Sequence, residues 1–361
     1  MSRRVFFYPF IQSHWSCFQS LIPEFHLQSY SIFLIHDGCQ HPSLVQSQLS
    51  MQSGLVAILR TKKEVNAMLI GQQDVLLVGN DSDPPAVQWI KYFRKHSAAA
   101  IMLQDGWLVS ENILRPIYRT PSLFLKLRWL VHYILVRYSS VGRKFFHNFL
   151  CQNAQFFFLY SSFSREQLQR AGVKSQSLYV TGSPKHCYLK EIDHDVEEGV
   201  WILFSTVTFS AQDLQDTLDS INVLLDNQYC RKLLIKLHPD EDASKYADLR
   251  HPKLEWVNAT FTEVISESKV QIAFCFASTV VLDLLMMNIP VIQIAIGGMD
   301  RRYTNYFYDL PLMTNSMQLD GLISTYNLGD IREKGSKYLL DLEGEIDSRK
   351  NVLNVINQIL S

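Results

Sequence analysis

The chain alternates between short, continuous apolar runs and longer segments in which apolar residues recur at helical spacing. Short continuous apolar runs are typical of parallel strands, because such strands are covered by helices on both faces. The strand–helix repetition predicts an α/β fold with right-handed crossovers. Predicted helices include Ala86–Lys95, Ala211–Leu225 and Ser278–Met287. The predicted strands are Val5–Tyr8, Ser31–Ile35, Leu55–Leu59, Val75–Val78, Ala98–Leu103, Phe156–Tyr160, Leu178–Val180, Val200–Phe204, Lys232–Leu237, Val270–Phe276 and Pro290–Ile294.

A polar segment near the middle of the chain interrupts this pattern. Residues Lys185–Gly199 are rich in carboxylates, and a new apolar strand begins directly after them. A single core rarely grows beyond about 250–300 residues, so a chain of 361 residues is expected to form two domains. We predict two Rossmann-like, doubly wound domains with a cleft between them, in residues 1–190 and 195–340. A C-terminal helix in residues 341–361 would cross back to the first domain.

Composition and charge narrow the classes of protein to consider. The hydrophobic fraction of 47% and the charged fraction of 19% are ordinary for globular domains, and the formal net charge of −1 argues against a nucleic-acid partner. The six cysteines include no CxxC pair, which favours buried, reduced thiols over a zinc ribbon. No stretch reaches the roughly 18–20 uncharged apolar residues of a membrane helix. We therefore expect a cytoplasmic protein.

The first candidate for chemistry follows the predicted strand Ala98–Leu103. Its residues are Gln104, Asp105 and Gly106, and Gly106 permits a tight turn at the strand tip. Ligands of doubly wound sheets bind at this edge, and a transferase needs a general base within reach of an acceptor hydroxyl. Asp105 is the candidate base, with Gln104 and Gly106 in an acceptor-side loop. The alternative is an ordinary Asp-Gly turn.

The second candidate lies at the end of the predicted strand Lys232–Leu237. Pro239 ends that strand and restricts the chain beside His238, whose imidazole could donate a hydrogen bond to a phosphate. Lys236 lies two residues earlier, so its side chain points to the same side of the strand. We assign all three residues to donor binding and His238 also to catalysis. The alternative is a structural histidine held by a proline turn.

Hydroxyl-bearing residues complete the candidate donor site. Ser278 and Thr279 stand where a buried strand gives way to a helix, whose first backbone N–H groups suit a phosphate. N-capping by Ser278 is the alternative, and it is compatible with phosphate binding. Ser205 and Thr206 follow the first strand of the second domain, and Gly182 follows the last strand of the first. Loops of this kind are also routine after strands.

Several rival chemistries lack their motifs. The chain contains no GxxxxGK[ST] loop, no GxGxxG after its first strand and no GxSxG. These absences argue against a P-loop NTPase, a dinucleotide-dependent dehydrogenase and an α/β-hydrolase. Asp81-Ser82-Asp83 has the spacing of a metal clamp, but Pro84 and Pro85 follow at once. A loop leading into a helix is the preferred interpretation, and no metal site is predicted.

The order of these motifs resembles that of bacterial sialyltransferases of the GT-B type. That family has an acidic-acidic-glycine motif in its first domain, then a His-Pro motif and a Ser-Ser/Thr motif in its second. The wider clan includes Kdo transferases and CDP-glycerol glycerophosphotransferases. The matching residues here are Gln104-Asp105-Gly106, His238-Pro239 and Ser278-Thr279, each at a predicted strand tip.

The resemblance implies an inverting, metal-independent transfer of a sugar from a CMP- or CDP-linked donor to a surface glycan of a capsule, lipooligosaccharide or O-antigen. No cofactor is implied. Asp105 would match the general base and His238 the residue that contacts the donor phosphate, while Ser278 and Thr279 would match the phosphate-binding pair. Gln104 departs from the family, which has an acidic residue there. The sugar would be a nonulosonic acid such as sialic acid or Kdo.

Two other function classes stay open. A CDP-glycerol or polyol-phosphate transferase would share the His-Pro and Ser-Thr motifs, but it usually has a histidine where this chain has Asp105. A non-catalytic or epimerase-like protein on the same scaffold would need either no base or additional carboxylates around the donor sugar. A nucleotide panel discriminates between them, because each class implies a different ligand.

One segment could contact a membrane. Residues 123–149 mix aromatic and basic side chains, and such a helix can lie on an anionic membrane surface. This would place the protein at the inner face of a bacterial cytoplasmic membrane, beside a lipid-linked acceptor. The alternative is a helix that covers the core of the first domain and presents a basic outer face.

Overall fold

The computed structural model describes residues 3–40, 55–81, 84–105, 153–170, 173–208, 210–299, 307–342 and 346–361, with Leu127 and Val131. These residues form two compact units. The first contains the described chain up to Tyr188 together with Lys337–Ser361, and the second is Leu189–Ser336. The predicted acceptor- and donor-binding roles of the two halves stay predictions.

The first unit contains a parallel sheet of seven described strands in the order β3-β2-β1-β4-β5-β6-β7. Strand order grows outward from β1 in both directions, as in a doubly wound sheet. The strands are β1 (Arg4–Tyr8), β2 (Ser31–Ile35), β3 (Val56–Leu59), β4 (Asp74–Val78), β5 (Ala99–Leu103), β6 (Phe156–Leu159) and β7 (Leu178–Val180). The described helices up to the chain division are α1 (Gln12–Gln19), α2 (Ile22–Leu27), α3 (Lys62–Ala67), α4 (Pro84–Lys95), α5 (Ser162–Arg170) and α6 (Pro184–Leu189).

The second unit repeats this topology with six described strands, in the order β10-β9-β8-β11-β12-β13. Every pairing in both sheets is parallel. The strands are β8 (Val200–Phe204), β9 (Lys232–Lys236), β10 (Leu254–Trp256), β11 (Ile272–Cys275), β12 (Val291–Ile294) and β13 (Leu312–Met313). The described helices are α7 (Ala211–Asp226), α8 (Phe261–Ser268), α9 (Val280–Met286), α10 (Leu319–Ser324) and α11 (Leu328–Ser336).

The parallel strands are covered on both faces, which explains why each of them is a continuous apolar run in the sequence. Strands β4, β5 and β8 are buried along their whole length. In the first unit, Phe7 stacks on Phe18 of α1 with ring centroids 5.2 Å apart. Burying a large apolar side chain contributes about 1.5–3 kcal/mol. The sheets are therefore held mainly by the helices packed on each face.

The last helix, α12 (Ser348–Leu360), packs in the first unit although it ends the chain. Its buried residues Val352, Leu353 and Ile356 join the same hydrophobic cluster as Phe7 and Phe18. Asp347 caps the helix by accepting hydrogen bonds from the backbone N–H groups of the first turn. The chain thus returns to the first unit after forming the second.

All eleven predicted strands are present, with boundaries that agree to within two residues. Two edge strands, β10 and β13, are not predicted by the pattern. They have three and two residues, and β10 is largely exposed, so neither forms a buried apolar run. The predicted helix Ser278–Met287 begins later than expected, because α9 starts at Val280.

Predictions about the membrane concern a part of the chain that is mostly outside the described residues. Within the ranges that the structure covers, none of the helices combines the length and apolar character needed to cross a bilayer. Residues 123–149 lie outside those ranges except for Leu127 and Val131. The contact of this segment with a membrane surface therefore stays a prediction.

Candidate active site

The two sheets share one topology, which determines where each unit can bind a ligand. Strand order reverses between β1 and β4 in the first unit and between β8 and β11 in the second. Ligands of doubly wound sheets bind beyond the carboxyl ends of the strands at such points. The predicted site residues Asp105, Ser205, His238 and Ser278 follow the carboxyl ends of β5, β8, β9 and β11, respectively. Each therefore lies at the ligand-binding edge of its own sheet.

Asp105 lies one residue beyond Gln104 at the end of β5, and its side chain is 10% exposed. The Ser13 hydroxyl donates a hydrogen bond of 2.5 Å to its Oδ2 atom. The Nε2 atom of His14 lies 3.5 Å from the same oxygen. Ser13 and His14 belong to the first turn of α1. These contacts orient the carboxylate and engage Oδ2, while none of the described contacts of Asp105 uses Oδ1.

His14 was not predicted as a site residue, yet it connects three strand tips. Its Nδ1 accepts a hydrogen bond of 3.1 Å from the Phe10 backbone N–H, just after β1. In the neutral ring Nε2 then carries the hydrogen, and it faces Asp105. A methyl carbon at Gly79, just after β4, would overlap the His14 ring. Glycine at this position therefore makes room for the imidazole.

Burial keeps the His14 ring neutral. The side chain is only 4% exposed, and this burial lowers the pKa of His14 below its ordinary value of 6.5, against the opposing effect of the Asp105 carboxylate. A neutral ring with both nitrogen atoms engaged is unsuited to accept a proton from a substrate. His14 is therefore a positioning residue for Asp105.

The lowered pKa of His14 predicts a pH-dependent stability. Because the unfolded chain binds the proton more readily, stability is complete above pH 6.5 and falls as the pH drops towards the lower pKa of the folded state. We expect His14→Gln to have a shallower decrease in melting temperature between about pH 6.5 and 5 than the wild type. Thermal unfolding across this range measures it.

His26 provides the control for this prediction. It lies on the exposed side of α2, so His26→Gln removes an exposed imidazole and should keep the wild-type pH dependence. A His14→Gln protein with the full wild-type slope would contradict the assignment of the slope to the buried ring.

Gln104 is fully buried, and its predicted place in an acceptor-side loop stays a prediction. Its backbone N–H donates to the Phe158 carbonyl, and its side-chain oxygen accepts from the Tyr160 N–H at 2.8 Å. These bonds continue the pairing of β5 with β6 beyond the last strand residue. A carboxylate oxygen could accept the same hydrogen bond from the Tyr160 N–H, which is consistent with the acidic residue that the bacterial sialyltransferases have at this position. Gly106 lies outside the described residues.

Gly182 is packed against the C-terminal segment, and its assignment to donor binding stays a prediction. Its φ angle of 77° lies in the left-handed region. A methyl carbon here would overlap the Ser348 hydroxyl and lie 2.6 Å from the Asp341 carboxylate. Asp341 accepts hydrogen bonds from the Ser183 N–H at 2.8 Å and from Ser348. Gly182 thus allows the returning C-terminal segment to pack closely on the tip of β7.

His238 is the best-placed candidate in the second unit. Its side chain is 42% exposed, and Nδ1 accepts a hydrogen bond of 3.1 Å from the Asp240 N–H. Partial burial lowers the pKa of His238, although Asp240 and Glu241 oppose this shift. In the neutral ring Nε2 carries the hydrogen, and no described contact of His238 uses it. The side chain can therefore donate one hydrogen bond to a bound anion.

Ser205 and His238 are brought together by the structure. The His238 backbone N–H donates to the Ser205 hydroxyl oxygen at 2.9 Å, which connects the tips of β8 and β9. Ser205 and Thr206 are both buried, at 7% and 8% exposure. The Ser205 hydroxyl can still donate its own hydrogen. Pro239 lies in an exposed turn directly after His238, as the strand-ending role predicts.

Lys236 is held by the protein rather than pointing freely into solution. Its Nζ donates to the carbonyl of Ala259, and the Glu263 carboxylate lies nearby. Burial lowers the pKa of Lys236, against the effect of Glu263. Both partners lie around the start of α8. A donor phosphate would have to compete with the Ala259 carbonyl, so Lys236 is a weaker candidate than His238.

Ser278 and Thr279 lie beside this pair of strands at the same edge. Cys275 at the end of β11 pairs with Phe204 at the end of β8, so the residues after each strand are neighbours. The Ser278 hydroxyl accepts from the Val280 N–H at 3.3 Å. Helix α9 has only seven residues, which weakens the argument from a helix dipole. The groups at this edge that could bind a phosphate are therefore the hydroxyl groups of Ser278 and Thr279.

Asp81 has a structural role, consistent with a loop rather than a metal clamp. It is fully buried, and its Oδ2 accepts hydrogen bonds of 2.9 Å and 3.0 Å from the N–H groups of Asn153 and Ala154. Ser82 and Asp83 lie outside the described residues. Across the ranges that the structure describes, no three His, Cys, Asp or Glu side chains are grouped to hold a metal ion. Metal independence stays a prediction.

No protein-family model matches the chain, and no curated protein sequence does. Solved structures match over nearly all of it. Arabidopsis thaliana UGT89C1 in complex with UDP is 10% identical, with a TM-score of 0.60 and coverage of 100% of both chains. UDP-GlcNAc 2-epimerase from Methanocaldococcus jannaschii is 10% identical, with a TM-score of 0.60 over 98% of this chain and 99% of that one. The wall teichoic acid polymerase TagF is 12% identical, with a TM-score of 0.58 over 99% of this chain and 88% of that one.

At these identities the likeness shows the fold alone. The two parallel sheets and their match to such structures confirm the predicted α/β fold of the GT-B type, with two Rossmann-like domains. The names of the similar structures include a lipopolysaccharide galactosyltransferase, epimerases and a teichoic acid polymerase. Function must therefore be argued from the residues at the strand tips.

Proposed function

We propose that the protein is an inverting glycosyltransferase that takes its sugar from a CMP-linked donor without a metal ion. The observation that carries this proposal is the chemistry at the two ligand-binding edges. The first unit presents an oriented carboxylate, Asp105, and the second presents hydrogen-bond donors at His238 and Ser278. A carboxylate suits deprotonation of an acceptor, and neutral donors suit a phosphate leaving group.

The acceptor step would use the Oδ1 atom of Asp105. In a single displacement, the acceptor hydroxyl oxygen forms a bond to the anomeric carbon of the donor sugar, while the bond from that carbon to the phosphate oxygen breaks. The hydroxyl proton passes to Asp105, and CMP leaves with the bonding electron pair. Ser13 and His14 hold Oδ2, so the carboxylate is oriented before the acceptor binds.

The donor step would use His238 and the hydroxyl groups around it. Negative charge develops on the phosphate as the sugar departs, and donors that already point at this position stabilise it without reorganisation. The Nε2–H of His238 is the leading donor, with Ser278 and Thr279 on the neighbouring strand tip. Ser205 supports the loop that carries His238 by accepting a hydrogen bond from the His238 backbone N–H, and Thr206 follows it in the loop after β8. Lys236 would contribute mainly through its positive charge.

The identity of the sugar rests on the resemblance to sialyltransferases. The proposal is a nonulosonic acid, such as sialic acid or Kdo, transferred to a glycan of a capsule, lipooligosaccharide or O-antigen. A lipid-linked acceptor would agree with a peripheral position at the inner face of the cytoplasmic membrane, through residues 123–149. A lipopolysaccharide outer core galactosyltransferase is among the structures that share the fold.

A second candidate is a polyol-phosphate transferase that uses a CDP-linked donor. One observation favours this candidate. Polyol-phosphate transferases usually have a histidine at the position of Asp105, and here the His14 side chain lies 3.5 Å from the Asp105 carboxylate. The fold likeness to TagF points the same way. The engaged nitrogen atoms and the lowered pKa of His14 argue against it as a base, so the glycosyltransferase remains the first proposal.

A thermal-shift panel of CMP, CDP, UDP, GDP and ADP, each with a chelator, tests the function. A ligand that binds only the folded state raises the melting temperature by mass action. We expect CMP to give the largest shift. A larger shift with CDP would favour the polyol-phosphate transferase, and one with UDP or GDP would move the donor to another class. No shift with any nucleotide would contradict the proposed function.

His238→Ala is expected to weaken nucleotide binding. A hydrogen bond to a charged group contributes about 1.5–3 kcal/mol, so the dissociation constant for CMP should rise about 10–150-fold. Calorimetric titration measures it. His251→Ala is a matched control, because His251 also accepts a hydrogen bond from the N–H two residues later, at Lys253, but lies before β10. Equal effects of the two changes would contradict the assigned role.

A further inference from the structure

Glu241 is a buried carboxylate at the ligand-binding edge of the second unit, although its neighbours in the sequence are exposed. Its side chain has no solvent exposure. The carboxylate accepts a hydrogen bond of 2.6 Å from the Thr208 backbone N–H and one of 2.7 Å from the Thr208 hydroxyl. Thr208 lies in the segment that follows β8, and Glu241 follows the turn after β9. The carboxylate therefore connects two loops that are distant in the sequence.

Lys245 completes this arrangement and balances its charge. Its Nζ lies 3.0 Å from the Glu241 carboxylate and donates hydrogen bonds of 2.9 Å and 2.8 Å to the carbonyl and hydroxyl of Thr208. A buried carboxylate is costly unless it is paired and hydrogen-bonded, and this one is both. Removing the charge of Glu241 would leave the Lys245 ammonium group without its carboxylate partner.

The same two loops are joined a second time at His238. The Glu241 backbone N–H donates to the His238 carbonyl at 2.9 Å, and the His238 N–H donates to the Ser205 hydroxyl at 2.9 Å. The loop from Ser205 to Thr208 is thus held at both ends by the turn from His238 to Glu241. Three of the residues predicted to bind the donor, Ser205, Thr206 and His238, lie on these two loops. A closed set of bonds of this kind fixes their relative positions before a ligand arrives.

We infer that Glu241 is a positioning residue for the donor site, which holds Ser205, Thr206 and His238 in a preformed arrangement for a nucleotide phosphate. This inference rests on the proposed function. Glu241 would not contact the donor, because its side chain is buried and engaged by Thr208 and Lys245. It would act by fixing the loops, so its loss should weaken nucleotide binding more than it affects the fold.

The test uses variants of the full chain and two measurements. Glu241→Gln keeps the size of the side chain but removes the charge and one acceptor oxygen. Thr208→Val removes the hydroxyl and both of its contacts, to Glu241 and to Lys245, and Thr208→Ser restores them. Glu255→Gln is the matched control, because it makes the same change in an exposed pair with Lys232 in the same unit. Amide hydrogen exchange is measured without ligand, and CMP affinity is measured by titration well below the melting temperature.

Glu241→Gln should increase exchange in residues 205–208 and 238–241 and weaken CMP binding about tenfold or more. Thr208→Val should show the same effects to a smaller extent, while Thr208→Ser and Glu255→Gln should behave as the wild type. Unchanged exchange in both loops of Glu241→Gln would overturn the inference whether or not CMP binds. Faster exchange with unchanged CMP affinity would also overturn it. Absence of CMP binding in the wild type would count against the proposed function, and the exchange result would then decide the loop-fixing role alone.

Discussion

Asp105→Asn should abolish sugar transfer while leaving nucleotide binding intact. The amide has the size of the carboxylate and can still accept the hydrogen bond from Ser13, but it cannot take up the acceptor proton. Loss of a general base typically lowers the rate about 10²–10⁴-fold, and this loss should fall on kcat. Because Asp105 belongs to the first unit and the predicted phosphate contacts belong to the second, the CMP-induced thermal shift should remain that of the wild type.

The measurement is a transfer assay with the donor that the nucleotide panel indicates, alongside the thermal shift. Asp193→Asn is the control, since Asp193 is an exposed carboxylate in the polar segment before β8. It should retain full activity. An Asp105→Asn protein with wild-type kcat would remove Asp105 from the mechanism. Loss of both activity and CMP binding would indicate a wider structural change and would contradict the division of roles proposed here.

The strands could be predicted because the physics that forms them is local. A strand covered on both faces needs a continuous apolar run, and β1, β4, β5 and β8 each have one. The strands β10 and β13 lack such a run. Their pairing is determined by the neighbouring strands β9 and β12, which the local pattern does not contain. The predicted strand ends also placed Asp105 and His238 correctly at the carboxyl edges of their sheets.

The partners of those residues could not be predicted, because they are distant in the sequence. His14 comes from the first helix and reaches Asp105 only because Gly79 leaves space for its ring. The sequence signals for this contact are a histidine early in the helix after the first strand and a glycine directly after the fourth strand. Glu241 lies two residues after the predicted His-Pro motif, yet its pairing with Thr208 depends on the order of β8 and β9.

Gln104 and Gly182 are predicted to lie in ligand-binding loops, because each follows a strand. The structure shows that Gln104 extends the pairing of β5 with β6 and that Gly182 accommodates the C-terminal segment. The position just beyond a strand therefore does not distinguish residues that bind a ligand from residues that extend the strand pairing or pack another segment on the sheet. The two positions differ in burial, since Gln104 is fully buried whereas the His238 side chain is 42% exposed.

Gly182→Ala is expected to have the largest effect on stability of any single methyl addition at the positions discussed here. The φ angle of 77° disfavours any residue with a Cβ atom, and the added methyl would overlap Ser348. Left-handed strain and overpacking together should cost about 2–5 kcal/mol. For a unit of this size that corresponds to a fall of about 5–15 °C in melting temperature. Differential scanning calorimetry measures the transition.

Two other glycines separate the causes of that loss. Gly38 has a φ angle of 80° but nothing within 4 Å of an added methyl, so Gly38→Ala should show the left-handed strain alone, about 1–2 kcal/mol. Gly71 has neither a positive φ nor a neighbour within 4 Å, and Gly71→Ala should be close to neutral. If Gly182→Ala cost no more than Gly38→Ala, then Ser348 and Asp341 would not be packed against β7 as described. A larger cost would instead show that the returning segment depends on a glycine at this one position, since no side chain can fit between β7 and the Asp341 carboxylate.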